Sequence, residues 1–109
     1  MDQQPFPSQF CADQLKALSE PLRLRIIDAL RQGELAVGDL AELLEVELVT
    51  VSHHLGILKH AKLVENRRDG RFIVYRLRED LMKTAKSRQY LDLGCCRLEV
   101  PATPPKNHP

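Results

Sequence analysis

Two adjacent cysteines, Cys95 and Cys96, end the stretch LDLGCC near the close of a chain of 109 residues. Cysteine thiolates bind soft ions, and trivalent arsenic or antimony prefers three of them arranged as a pyramid. Gly94 is predicted to end a helix at this point, which frees both sulfurs to turn toward one ion. Cys11 is the remaining cysteine of the sequence and the candidate for a third ligand.

Two other roles for these thiols stay open. A free cysteine is often a small buried hydrophobe, which is an equally good interpretation of Cys11 alone. A disulfide between Cys95 and Cys96 would join Cα atoms about 3.8 Å apart, below the usual range of about 4.4–6.8 Å, so it would be strained and easily reduced. Such a bond is a poor structural link but a conceivable redox switch.

A second group of side chains suits contact with a nucleic acid. In the stretch ELVTVSHHLGILKH, small polar and imidazole groups near a helix start can bond to phosphates or base edges, and the Thr50 methyl can meet a thymine methyl. The stretch RRDGR adds arginines suited to phosphates or to the minor groove. The DNA-binding candidates are Val49, Thr50, Ser52, His53, Arg67, Arg68 and Arg71.

The neighbouring Ser52 and His53 do not indicate a catalytic site. Consecutive residues on a helix point about 100° apart, and no third group is present to orient the histidine as a base. His54 lies between Val51 and Leu55 on the inner edge of the helix and is expected to pack. The protein is therefore predicted not to be an enzyme.

The composition fits one globular domain with a local basic segment. Hydrophobic residues make up 43% and charged residues 28% of the chain, and the net charge is +1. Residues 34–47 carry five acids and no base, whereas residues 62–78 carry six bases and two acids. The sequence has no signal segment at its start and no apolar run long enough for a membrane span, so we expect a cytoplasmic protein with reduced thiols.

Helical and strand-like spacing alternate along the chain. We predict a helix over 9–18, a second capped by Ser19 with Pro21 in its first turn, a helix-turn-helix over about 39–63, and a two-stranded wing over about 64–77 with Asp69–Gly70 as its turn. Residues 79–93 return to helical spacing and predict a last helix. The domain is expected to span 8–98, after an irregular segment 1–7 and before a proline-rich disordered tail 99–109.

These elements predict a mainly α fold of the α+β class: a winged helix-turn-helix with a two-stranded wing and an additional C-terminal dimerisation helix. The stretches ALSEPLRLRIIDAL, VSHHLGILKHAKLV and RRDGRFIVYRL resemble the ArsR/SmtB-type metal-responsive repressors over roughly residues 12–93. The resemblance implies a homodimer joined through the first and last helices, a double-stranded DNA operator with two-fold symmetry, and release from DNA when an inducer binds.

The chain departs from that family pattern at three places. The family commonly opens its recognition helix with Gln and Ser, where this chain has Glu47, Leu48 and Val49. The positions of the family's arsenic site hold Ala36, Gly38 and Ala41, and those of its zinc-type site hold Glu79, Leu81, Asp92 and Cys95. Both usual sensor sites are therefore lost, and an atypical DNA preference is expected.

The resemblance also bears on the thiols. If the first helix runs antiparallel to the last in the dimer, Cys11 approaches Cys95 and Cys96, within or between subunits. We therefore expect no constitutive cofactor and a repressor induced by As(III), Sb(III) or another thiophilic ion at Cys95, Cys96 and Cys11. The alternatives are a thiol-redox-responsive repressor, a repressor without a sensor, and a winged-helix module that binds proteins rather than DNA.

Overall fold

The computed structural model describes residues 6–102. Four helices and a short strand precede five further strands. In chain order they are α1 (Ser8–Leu18), α2 (Pro21–Leu30), β1 (Leu35–Ala36), α3 (Val37–Leu44), α4 (Leu48–His60), β2 (Val64–Asp69), β3 (Phe72–Leu77), β4 (Met82–Ala85), β5 (Arg88–Asp92) and β6 (Arg97–Val100). The strands form two antiparallel sheets, with orders β1-β3-β2 and β4-β5-β6.

Helix α2 begins one residue later than the predicted cap. Ser19 was the expected cap, but Glu20 occupies this position and its carboxylate accepts the backbone N–H of Arg23 at 3.0 Å. Pro21 stands in the first turn, where its missing N–H leaves no hydrogen bond unmade. The predicted cap, Ser19, was wrong because the Glu20 carboxylate accepts the free N–H that the Ser19 hydroxyl was expected to bind.

Helices α3 and α4 form the predicted helix-turn-helix. Apolar side chains at helical spacing are fully or almost fully buried between these helices and α2, namely Ile26, Ile27, Leu30, Leu40, Leu44, Val51, Leu55 and Leu58. The turn between the helices begins at Glu45, whose left-handed backbone, with a φ of 56°, ends α3. A leucine-rich core without tryptophan therefore holds α4 in place.

Strands β2 and β3 form the predicted two-stranded wing, but its turn is shifted by one residue. Asp69 pairs with Phe72, so Gly70 and Arg71 make the two-residue loop instead of Asp69 and Gly70. Gly70 has a φ of 63°, while Arg71 is not in the left-handed region. This combination is that of a type II′ turn, which needs glycine at its first central position.

The predicted last helix over 79–93 is wrong, because these residues form β4 and β5. Asp80, Lys86 and Ser87 all have positive φ, and the Lys86–Ser87 pair forms a two-residue hairpin turn of type I′ geometry. Leu91 and Leu93 are buried two residues apart, which is strand spacing. Within residues 6–102, the homodimer through the first and last helices that the resemblance implied therefore lacks its last helix.

The chain ends differ in part from the expected irregular segments. Strand β6 continues to Val100, so residues 99 and 100 belong to a sheet rather than to the expected disordered tail. The predictions for residues 1–5 and 103–109 lie outside the described residues. No helix within residues 6–102 is long and apolar enough to cross a membrane.

Both apolar and polar contacts attach the C-terminal sheet, β4-β5-β6, to the rest of the molecule. Leu81, Leu91 and Leu93 are at most 3% exposed and belong to the common core. Arg78 donates to the carbonyl oxygens of Lys62 at 3.1 Å and of Asp92 at 2.7 Å. Arg31 on α2 donates to the side chain of Gln89 and, at 2.5 Å, to the carbonyl oxygen of Pro101. The C-terminal sheet is thus fixed at both of its ends.

Candidate nucleic-acid interface and thiol cluster

Helix α4 presents a polar face on a buried apolar stripe. Val51, Leu55 and Leu58 are 0% exposed and face the core, which fixes the rotation of the helix. His54 and Ile57 are half-buried at the edge of this stripe, and all four residues predicted for the outer face are exposed: Val49, Thr50, Ser52 and His53. Gly56, one turn beyond Ser52, has open space around the position of an added Cβ, so nothing covers this face. The face can approach a groove without rearrangement.

The start of α4 is apolar and acidic rather than polar. Leu48 and Val49 are 53% and 76% exposed, and Glu47 caps the helix without a side-chain hydrogen bond. Apolar side chains meet thymine methyl groups rather than hydrogen-bonding base edges. A carboxylate at this position repels a phosphate. The start of α4 therefore differs in chemistry from the polar residues that follow it.

The three wing arginines that the sequence singled out are in two different states. Arg67 bonds to the Glu34 carboxylate and lies 3.7 Å from Asp69, and Glu34 is the main reason that the pKa of Arg67 is raised. Arg68 makes no hydrogen bond or ion pair within residues 6–102, and Arg71 lies over the ring of Phe72 at 5.8 Å. Arg68 and Arg71 are the wing charges available to a polyanion.

Other bases of the segment 62–78 are also occupied. Arg76 pairs with Glu65 at 3.1 Å, and this bond is the largest cause of the lowered pKa of Glu65. Arg78 is committed to the two carbonyl oxygens described above. The basic segment therefore offers fewer free charges than its composition indicated.

His54 sits on the inner edge of α4, as expected, but in a polar network. Its Nδ1 lies 3.0 Å from the guanidinium of Arg23 and 3.8 Å from the Glu20 carboxylate. Arg23 also donates to the carbonyl oxygen of Ala17. His54 therefore links α4 to α2 and, through Arg23, to α1, and it is not part of the exposed face of α4.

The structure brings Cys11 and Cys95 together as a disulfide. Cys11, 4% exposed on α1, is bonded to Cys95 in the β5–β6 loop, 84 residues later, with their Cα atoms 6.0 Å apart. This pairing and the oxidised state correct the prediction from the sequence, which was of reduced thiols, with a Cys95–Cys96 bond as the alternative. The sequence could not indicate the pairing, because the contact depends on where β5 and β6 place their loop.

Cys96 is the free thiol of the cluster and lies beside the disulfide. Its Sγ is 3.9 Å from Sγ of Cys95, and both residues line a shallow cavity of about 250 Å³ with Asp92, Gly94 and Arg97. Within residues 6–102 no group of three or more His, Cys, Asp or Glu side chains is arranged to hold a metal ion. In this oxidised form, the three sulfurs are neighbours but do not form a set of free ligands.

One buried contact connects the thiol cluster to α4. Gln14 lies one turn after Cys11 on α1, is 2% exposed, and donates to the carbonyl oxygen of Ala61, which caps the end of α4. Its Oε1 has no hydrogen-bond partner within the described residues. Sequence analysis missed Gln14 and Arg78, because a lone Gln or Arg carries no pattern until its carbonyl partner is known.

Comparison with known proteins places this arrangement among bacterial regulators. The model of a family described as bacterial regulatory protein, arsR family, matches residues 20–66. The transcriptional repressor SdpR of Bacillus subtilis is 40% identical over 68 residues, which are 62% of this chain and 76% of SdpR. A homologue of the cadmium resistance transcriptional regulatory protein CadC of Staphylococcus aureus is 35% identical over 77 residues, 70% of this chain and 64% of that protein.

Solved structures agree with the sequence matches. HlyU of Vibrio cholerae superposes with a TM-score of 0.66 at 31% identity, over 71% of this chain and 84% of HlyU. The homodimeric winged helix-turn-helix DNA-binding domain of Mb0332 from Mycobacterium bovis gives 0.64 at 38% identity, over 69% and 72% of the two chains. Several curated relatives besides SdpR are matched over only 55 to 64% of their own length.

The residues that the family model matches, 20–66, contain the helix-turn-helix and the first residues of β2. The chain therefore belongs to the arsR family of bacterial regulatory proteins, which are DNA-binding transcriptional regulators and not enzymes.

Proposed function

We propose that the protein represses transcription by binding a two-fold symmetric DNA operator as a homodimer, through α4 and the wing. The carrying observation is the exposed face of α4, where Thr50, Ser52 and His53 stand on a helix fixed by fully buried leucines. In a dimer, two such helices reach major grooves about one helical turn, ~34 Å, apart. The homodimeric Mb0332 domain supports this arrangement.

Base reading and phosphate binding are divided between α4 and the wing in this proposal. Ser52 and His53 bond to base edges, while Leu48 and Val49 meet thymine methyl groups. Arg68 and Arg71 contact phosphates or the minor groove, whereas Arg67 stays with Glu34. Two of the three wing arginines therefore bind DNA, and the third holds an internal ion pair.

The test is the salt dependence of binding to labelled duplex DNA, measured by fluorescence anisotropy. Each lost phosphate contact reduces the slope of log affinity against log salt by about 0.9. Because a homodimer carries two wings, we expect Arg68→Ala and Arg71→Ala each to reduce the slope by about two such steps, and Arg67→Ala to change it less. DNA binding that is absent or independent of salt would favour the protein-binding module instead.

The thiol cluster is the proposed effector site, with a soft metalloid as its first candidate ligand. Reduced Cys11, Cys95 and Cys96 would supply three thiolates to As(III) or Sb(III), and the 3.9 Å between two of their sulfurs suits a shared ion. The Cys11–Cys95 disulfide has to be reduced before such an ion binds. The matched CadC homologue of Staphylococcus aureus is named for resistance to cadmium, which is a thiophilic metal.

The disulfide itself favours a second candidate, thiol-redox control. Thiol–disulfide exchange with a low-molecular-weight disulfide forms it, since that disulfide takes up two electrons and two protons from Cys11 and Cys95 and becomes a dithiol; the reverse exchange reduces the protein. Because Gln14 joins the Cys11 helix to the end of α4, a shift of α1 on reduction moves α4 as a unit, without unfolding it. Redox control through the Cys11–Cys95 disulfide does not require Cys96.

One variant separates the two effectors. DNA affinity is measured for oxidised protein, reduced protein, and reduced protein with arsenite, in wild type and Cys96→Ser. Metalloid control predicts that arsenite releases DNA from reduced wild type and fails to do so with Cys96→Ser. Redox control predicts that oxidation changes affinity equally in both proteins. Equal affinity of wild type in all three conditions would remove the thiols from the proposal.

A further inference from the structure

Phe72 is a large aromatic side chain exposed at the tip of the wing. It is the first residue of β3 after the two-residue loop, and 56% of it is accessible to solvent. Tyr75 on the same strand is 8% exposed. Because alternate residues of a strand face opposite sides, Phe72 lies on the side away from Tyr75 and the core. Its exposure is therefore a property of the wing's outer surface and not of an incomplete core.

Charges of both signs surround Phe72. Arg67 pairs with the nearby acids Glu34 and Asp69, and Asp39 lines the same cavity as Phe72. Arg71, in the turn, holds its guanidinium 5.8 Å from the centre of the Phe72 ring, and Arg68 has no partner within the described residues. The narrow turn thus presents the Phe72 ring together with the Arg71 guanidinium, whereas Arg68, paired with Ile73, lies on the other face of the wing.

This combination matches the chemistry of minor-groove wedges. Proteins that use the minor groove bring arginines to its negative potential and insert apolar side chains between base steps, which unstacks and kinks the duplex. The cost of the kink depends on the step, and pyrimidine–purine steps such as TA and CA deform most easily. A wedge consequently selects sequence at a position where it makes no hydrogen bond.

Resting on the proposed DNA binding, we propose that Phe72 enters the minor groove beside Arg71 and makes the protein prefer a deformable pyrimidine–purine step beneath each wing. This preference is separate from the bases that α4 reads. Phe72 is thus an apolar, specificity-determining residue of the wing.

The experiment selects DNA from a random 30-base-pair pool with the full chain as wild type, Phe72→Ala and Phe72→Leu. Wild type should enrich a core half-site and, at a fixed distance from it, a TA, CA or TG step. Phe72→Ala should keep the core and lose the step preference by about tenfold, within the range for one mismatched base pair. Phe72→Leu should keep most of it, because leucine also serves as a wedge.

Two further readouts separate a wedge from a damaged wing. The salt slope of Phe72→Ala should equal that of wild type, since no charge is removed. The fluorescence of 2-aminopurine placed at the selected step should rise on binding of wild type and stay low with Phe72→Ala.

Each remaining outcome has a defined meaning. An unchanged step preference in Phe72→Ala, or a wild-type core with no flanking step, overturns the wedge while leaving DNA binding intact. A reduced salt slope in Phe72→Ala also overturns it, by showing that the wing has lost its phosphate contacts. A loss in Phe72→Leu equal to that in Phe72→Ala rejects a wedge in favour of ring stacking. Failure of wild type to enrich any sequence overturns both the wedge and the sequence-specific DNA binding proposed above.

Discussion

The reading region, residues 37–77, and the C-terminal sheet, residues 82–100, are held in place by different forces. The reading region is fixed by leucines and valines that are fully buried on α3, α4 and β2. The C-terminal sheet has fewer buried side chains and depends also on a disulfide and on the arginine contacts of Arg31 and Arg78. Chemistry at the thiols can therefore act on the C-terminal sheet while the reading region keeps its fold.

The largest expected contrast is in core packing. Leu55→Ala removes a side chain that is 0% exposed and should lower the free energy of unfolding by about 2–5 kcal/mol. Leu98→Ala on β6 alters a half-buried side chain and should cost about 1 kcal/mol. Urea unfolding of both variants measures the difference. An equal loss of unfolding free energy in the two variants would mean that both regions are packed equally tightly.

The disulfide should give the next largest effect. Cys95→Ser opens a link across 84 residues and should cost about 2–4 kcal/mol under non-reducing conditions. Cys96→Ser, one residue away, is the matched control and should change the free energy of unfolding by less than about 0.5 kcal/mol. Thermal unfolding without reductant compares them. A stability of Cys95→Ser equal to that of wild type would show that the disulfide does not constrain the chain.

Two arginines of the segment 62–78 should separate stability from DNA binding, because Arg78 supports the fold and Arg68 is free to contact DNA. Arg78→Ala leaves the carbonyl oxygens of Lys62 and Asp92 without their donors and should cost about 1–3 kcal/mol. Arg68→Ala removes no internal partner and should change stability by less than about 0.5 kcal/mol while weakening DNA binding. Urea unfolding and DNA titration of the same two proteins decide this. A reversed pattern would exchange their structural and DNA-binding roles.

The smallest expected effect is that of acid on the C-terminal sheet. The Gly94 N–H, followed by the charges of Arg97 and Lys83, lowers the pKa of Asp92 below its ordinary value of 3.8. A lowered folded-state pKa gives stability that is complete above the ordinary value and is lost as pH falls through the folded value. The amide NMR signal of Gly94, whose N–H donates to Asp92, should therefore shift below about pH 4, and Asp92→Asn should abolish that shift. Acid-induced shifts that persist in Asp92→Asn would assign them to another group.

The sequence predicted the reading region well because its patterns are local. Leucines at helical spacing, a proline in the first turn of α2, and a glycine turn between β-prone runs each act over a few residues. Even there, the turn was placed one residue early, since Gly70 needed the first central position of a type II′ turn.

The C-terminal sheet was predicted poorly because its apolar residues fit two periods. Leu81, Met82, Ala85, Tyr90 and Leu93 fit a helical stripe. The deciding features were instead the hairpin turn at Lys86–Ser87 and the alternation of Arg97, Leu98, Glu99 and Val100. The Cys11–Cys95 pair depends on this sheet, so the thiol pairing could not be predicted before the sheet was known.

Hydrogen exchange of the full chain with and without a 30-base-pair duplex at low salt tests most directly whether the two regions divide these tasks. We predict that DNA slows exchange in the first turns of α4 and in the wing, and leaves residues 82–100 unchanged. Adding a dithiol without DNA should speed exchange in residues 82–100 while α4 stays protected. Protection of the C-terminal sheet by DNA, or loss of protection in α4 on reduction, would contradict the account.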